Sequence, residues 1–175
     1  MPLSMGIGQR PLCNKGLVKM STTDDLEKWC ETHIEKIRGF LGVFSENTLP
    51  SPDKITAPAV CIVNYDPSTL GGSHWVAIQL RPSSVAWFDS YGLSPDSPDL
   101  LIGHRTHFRT WLSRVCKRLG LNTYEFNSAD LQSPGETTCG HWSAYFAKMG
   151  PEMGWEAFGA DREHNDRIIR QLVRL

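Results

Sequence analysis

The chain has 175 residues, 40% of them hydrophobic, and a formal net charge of −1. That length holds one domain with a substantial core, the near-neutral balance supplies no global attraction for nucleic acid, and no apolar run is long enough to span a bilayer. Five irregularly spaced cysteines without a Cys-x-x-Cys pair argue against a disulfide framework and a ribbon-type zinc site, and so for a reducing compartment.

Residues 1–20 carry scattered positive charge and no apolar stretch of signal-peptide length, and read as a loose arm ahead of a single domain over 21–175. Over 24–38, Leu26, Trp29, Cys30, His33, Ile34 and Ile37 recur at helical spacing on one face, with Asp24 and Glu27 predicting a capped start and Gly39 a stop. Residues 45–58 are rich in Pro, Ser and Asp and read as a loop, and AVCIVN at 59–64 reads as a buried strand that contains Cys61. HWVAIQL at 74–80 and VAWFDSYG at 85–92, joined by a short turn at Arg81–Ser84, predict adjacent antiparallel strands.

Within 96–120, Phe108, Trp111, Leu112, Val115 and Leu119 predict a helix that Gly120 ends. TYEF at 123–126 alternates like another strand. Trp142, Tyr145, Phe146 and Met149 then predict a buried helix that Cys139 opens and Gly150-Pro151 closes, and a last helix over roughly 161–174 is expected to bury Ile168, Ile169 and Leu172. The pattern is α+β: a central mixed sheet with helices packed around it.

Cys139 ends the polar run LQSPGETTCGHW at the start of that helix, where the macrodipole and unpaired N–H groups favour a thiolate. A thiol nucleophile also needs a base, a group that orients the base, and donors for the developing negative charge. His74, at a loop-to-strand junction after Gly71-Gly72-Ser73, is the candidate base. Asp89 interrupts a hydrophobic strand, and the short turn between the two strands brings it to the same open end, where a carboxylate can fix the imidazole tautomer. Gln132, seven residues before Cys139, carries a neutral side-chain donor that could join the Cys139 backbone N–H in an oxyanion hole.

The order GGSHW, then WFDSYG, then Gln132 followed by Cys139-Gly140, resembles the adenovirus-type cysteine proteases, the adenain family, in the larger clan that includes the SUMO-specific (Ulp-like) proteases. FLGVFSENTLP at 40–50 and AVCIVN extend the likeness, which covers roughly residues 39–150. It implies an adenain/Ulp-like fold with a His-acid-Cys triad at His74, Asp89 and Cys139, and Gln132 in the oxyanion hole. Trp75 resembles the family's tryptophan that packs over the site, and Gly140 is carried over with it as a substrate-binding position. The adenoviral enzymes have glutamate at the acid position and the SUMO-protease branch aspartate. Adenoviral enzymes are also activated by DNA and by a peptide disulfide-linked upstream of the glutamine, but LGLNTYEFNS has no cysteine.

The expected activity is that of a cysteine endopeptidase cutting viral precursor or structural proteins during maturation, after glycine in small-residue motifs, because an indole over the cleft would exclude larger side chains. An isopeptidase removing a ubiquitin-like modifier is the alternative within the class, and a silent protein-binding module the alternative outside it. The substrates are proteins. No cofactor, metal, nucleic acid or membrane is expected, a peptide activator is left open, and the setting is a monomer in host cytoplasm, nucleus or virion. A zinc module from His104, His107, Cys139 and His141 has unsuitable ligand spacing.

Overall fold

A computed structural model describes residues 21–34, 39–95, 97, 107–153 and 157–175, so the N-terminal arm lies outside the described residues. Its centre is a five-stranded sheet: β1 (Phe40–Ser45), β2 (Ala59–Asn64), β3 (Trp75–Leu80), β4 (Ser84–Phe88) and β5 (Thr123–Phe126), in that spatial order. The outer pairs β1–β2 and β4–β5 are parallel, whereas β2–β3 and β3–β4 are antiparallel, which makes the sheet mixed. Four helices are described: α1 (Thr23–His33), α2 (His107–Leu119), α3 (Cys139–Met149) and α4 (Arg162–Leu172). None of the described helices is long and apolar enough to cross a membrane.

The sheet is covered on both faces, which explains why β2 is apolar throughout instead of alternating. Val60 and Ile62 join Val43, Trp75, Ala77, Ala86 and Phe88 beneath α1, α3 and α4. Ala59, Cys61 and Val63 point the other way, joining Ile78, Val85 and Trp87 beneath Trp111, Leu112 and Val115 of α2. Cys30 and Cys61 are core thiols, as expected, and burial pushes each up to about 12.

Several boundaries differ from the sequence reading for physical reasons. The first helix is capped by Thr22 instead of Asp24: its hydroxyl accepts from the Asp25 N–H at 3.2 Å, and the Asp25 carboxylate accepts from the Thr22 N–H at 3.1 Å. That helix ends at His33, and His33 is exposed, its ring stacked on Trp29 at 4.2 Å. Ile37 lies outside the described residues. Strand β1 was not anticipated as a strand; its pairing slips between Phe40 and Gly42, and only its middle residues are buried, so no period of two is visible. On α4 the inward residues are Asn165, Asp166 and Ile169, while Leu172 is 46% exposed, so the face that turns inward is partly polar.

Candidate active site

The β3–β4 register builds the first half of the site. Ala77 pairs with Phe88 in the last rung of the ladder; β4 stops there while β3 reaches back to Trp75, which leaves His74 just before β3 and Asp89 just after β4 at the same end of the sheet. His74 Nε2 lies 3.1 Å from Asp89 Oδ1, and neither residue is exposed to solvent. The carboxylate is further held by the Tyr65 hydroxyl, which donates to Oδ2 at 2.6 Å, and by the Tyr91 N–H, which donates to Oδ1 at 2.8 Å. The Asn127 side chain fixes the Asp89 backbone: its Oδ1 accepts from the Asp89 N–H at 2.9 Å, and its Nδ2 donates to the Asp89 carbonyl at 2.6 Å. With every polar bond of Asp89 made inside the protein, the buried charge is compensated as burial requires.

The imidazole is wedged between two phenol rings. Tyr91 stacks on it at 5.1 Å and Tyr65 meets it edge-on at 5.1 Å. Burial, then the Asp89 carboxylate, and lastly Cys139 push the Tyr65 phenol well above its usual value, which puts the thiol within electrostatic reach of the same hydroxyl that bonds Asp89. Nε2 is the ring nitrogen that faces the Asp89 carboxylate.

The second half is the loop leading into α3. Cys139 is the first residue of α3, fully buried against the core that α1 and α4 share. Gln132 is fully buried beside the turn after β4: its Oε1 accepts from the Ser90 hydroxyl at 2.7 Å, and its Nε2 donates to the Glu136 carbonyl at 2.6 Å and to the Tyr91 hydroxyl at 3.2 Å. The Ser90 carbonyl also accepts the N–H groups of Leu131 and Gln132, at 2.9 and 3.1 Å. The turn carrying the candidate acid thus also anchors the candidate oxyanion donor. Gly92, at φ +70, lets that turn press on Ser128 and Ala129, where a Cβ would come within 2.8 Å of a backbone oxygen.

The structure therefore gathers His74, Asp89 and Gln132 around Tyr91, and the Cys139 thiol acts electrostatically on the Tyr65 hydroxyl that bonds Asp89. Gly140 is pressed against Ser21, where a Cβ would lie 2.9 Å from the serine side chain, so it serves close packing of the segment before α1. Trp75 is buried in the core containing Cys139 and donates from Nε1 to the Ser21 carbonyl at 3.2 Å. Part of it lines a cavity of about 460 Å³ with Thr22, Asp66, Leu70 and Gly72. Trp87 and Trp142 are core residues: the first donates to the Leu93 carbonyl at 3.0 Å, and the second packs on Phe158 at 4.7 Å. His141, two residues after the thiol, is held neutral down to about 4 by burial and by the nearby Arg170.

Sequence reasoning missed Tyr65, Ser90 and Asn127, which act only through partners distant in the chain. No family model and no curated protein matches the sequence. Among solved structures, the chain is similar to the ASFV pS273R protease, with 20% identity, 94% of this chain and 71% of that one covered, and a TM-score of 0.53. It is also similar to ChlaDub1 from Chlamydia trachomatis, with 14% identity, 92% and 91% covered, and a TM-score of 0.55. The chain has the adenain/Ulp-like cysteine-protease fold that its motifs resemble.

Proposed function

We propose that the chain is a cysteine protease whose nucleophile is Cys139, with His74 as base, Asp89 as the group that orients the base, and Gln132 with the Cys139 N–H as the oxyanion hole. The observation that carries this reading is the fully buried His74–Asp89 contact at 3.1 Å, in a chain where Cys139, which opens a helix, acts electrostatically on the Tyr65 hydroxyl that bonds the same carboxylate. A buried, hydrogen-bonded carboxylate stabilises the imidazolium that forms when histidine takes the thiol proton. The thiolate attacks the scissile carbonyl, and the carbonyl electron pair moves to oxygen. Of the two bonds made by Gln132 Nε2, the longer one, to the Tyr91 hydroxyl, is the one a substrate oxygen replaces. The imidazolium then protonates the leaving amine, and water hydrolyses the thioester by the same steps.

The substrates are proteins, and the preferred assignment is an endopeptidase that matures viral precursor or structural proteins after glycine. The motif order and the fold shared with the ASFV pS273R protease support this. The likeness to ChlaDub1 favours a second reading, an isopeptidase that releases a ubiquitin-like modifier from lysine. A peptide library read by mass spectrometry, run beside modifier–lysine conjugates, separates them. The endopeptidase reading expects cuts after Gly-Gly or Gly-x-Gly within peptides. Cleavage confined to conjugates would select the isopeptidase, and efficient cutting after large side chains would remove the glycine preference while leaving the triad.

A further inference from the structure

Helix α4 contributes little apolar surface, and it reaches the segment over 130–138, which carries Gln132 and leads to Cys139, repeatedly. Arg162 donates to Asp130 at 2.7 Å, the Asn165 side chain donates to the Leu131 carbonyl at 3.3 Å, and Arg170 pairs with Glu136. Between them sits Asp166, buried and four residues from both arginines, so that all three lie on one helical stripe. Its Oδ2 accepts the Ser133 N–H at 2.9 Å, and its Oδ1 accepts the Thr138 hydroxyl at 2.5 Å and, at 3.5 Å, the Trp142 indole N–H.

We infer that Asp166 is the positioning residue of the oxyanion loop, fixing the separation of the Gln132 amide from the Cys139 N–H. The inference rests on the cysteine-protease reading. Ser133 directly follows Gln132 and Thr138 directly precedes Cys139, so one carboxylate holds the neighbours of both donors. An ionised carboxylate only accepts, and every partner here donates; an asparagine would turn an N–H₂ group toward one of those donors. Bonding to Asp166 has a second effect. Thr138 occupies the N-cap position of α3 but makes no side-chain cap bond to the helix, because its hydroxyl is turned to Asp166 instead.

The test uses the purified protein with Asp166→Asn, and with Thr138→Val as a near-isosteric variant that removes one of the three bonds. Three readouts are compared per folded molecule: hydrolysis of a fluorogenic peptide amide ending in Gly-Gly, inhibition by the matching peptide aldehyde, and alkylation of Cys139 by iodoacetamide. The aldehyde forms a sulfur–carbon bond while its carbonyl electron pair moves to oxygen, so its binding reads the oxyanion hole. Alkylation displaces iodide and forms no oxyanion. Asp166→Asn is expected to lower kcat on the order of 10–100-fold with KM within about threefold, in keeping with the cost of misplacing a catalytic group. Aldehyde affinity should fall in parallel, while the alkylation rate stays within about twofold, and Thr138→Val should show the same pattern at smaller size.

A lowered melting temperature with unchanged kcat and aldehyde affinity would make Asp166 purely structural. An alkylation rate falling in step with kcat would move its action to the thiol and overturn the loop assignment. An active wild type with unaffected variants removes only the Asp166 inference; a wild type that hydrolyses no peptide or conjugate removes the protease reading and this inference with it.

Discussion

The two halves of the site are built by different means. His74 and Asp89 are placed by strand register: they flank the same end of two adjacent antiparallel strands, His74 just before β3 and Asp89 just after β4, and their side chains meet at 3.1 Å. Gln132 and Cys139 are placed by a loop held from two sides, by Ser90 and Tyr91 of the turn after β4 and by Asp166 of the last helix. Register is enforced by many ladder bonds at once, whereas the loop depends on a few buried side-chain bonds. The base half should therefore respond to substitution of the chemical groups themselves, and the oxyanion half also to residues that never touch substrate.

The sharpest division expected is at His74. His74→Ala should lower kcat/KM by roughly 10²–10⁴-fold, the range for loss of a positioned base, with far-ultraviolet circular dichroism unchanged. Retention of turnover in a folded variant would break the base half outright. Gln132→Ala comes next, lowering kcat on the order of 10–1000-fold with a smaller change in KM, because the donor serves mainly the transition state. An effect confined to KM would move Gln132 from the oxyanion hole to substrate binding.

Smaller effects are expected around the acid. Asp89→Asn should cost on the order of tenfold in kcat, since a thiolate–imidazolium pair persists without a strong acid, and Tyr65→Phe less than about tenfold. Tyr65→Phe should also destabilise the fold by about 1–3 kcal/mol, because a buried carboxylate loses one of its donors. Equal losses in the two variants would place the tyrosine, rather than the carboxylate, at the centre of that half.

The least effect at neutral pH belongs to the two core thiols. Cys30 and Cys61 have folded values near 12 against 9.0 for an unperturbed thiol, so between those limits the native state holds protons that the unfolded chain releases. Their contribution to stability is complete below pH 9 and is lost as pH rises toward 12. Denaturant titrations at pH 8, 10 and 11 should show stability falling through this window, with Cys61→Ala flattening part of the slope. An unchanged slope would mean that Cys61 is not the buried group titrating.

The same contrast explains what was legible in the sequence. His74, Asp89 and the strands bearing them could be read locally, from a charge interrupting an apolar run and a short turn between two such runs. Cys139 could be read from its place before a helical apolar period. Strand β1 could not, because Gly42 slips the register and hides the alternation. Nor could the role of α4, where the reading followed Ile168 and Leu172 instead of the polar residues in phase with Ile169. Asn165 and Asp166 lie four and three residues before Ile169, itself four before the buried Val173, so a buried polar stripe was implicit in the spacing. What it would bind was not, since Ser133 and Thr138 lie about 30 residues earlier in the chain and only the fold brings them together.

The most direct test of the account is to trap the acyl-enzyme. The wild type and Cys139→Ala are mixed with an activated ester of a Gly-Gly peptide, quenched in acid within the first turnover and mapped by mass spectrometry. The account predicts the peptidyl mass on the tryptic fragment containing Cys139 in the wild type, with no adduct and no hydrolysis above background in Cys139→Ala. An acyl group on another residue, or catalytic turnover that survives in Cys139→Ala, would contradict it.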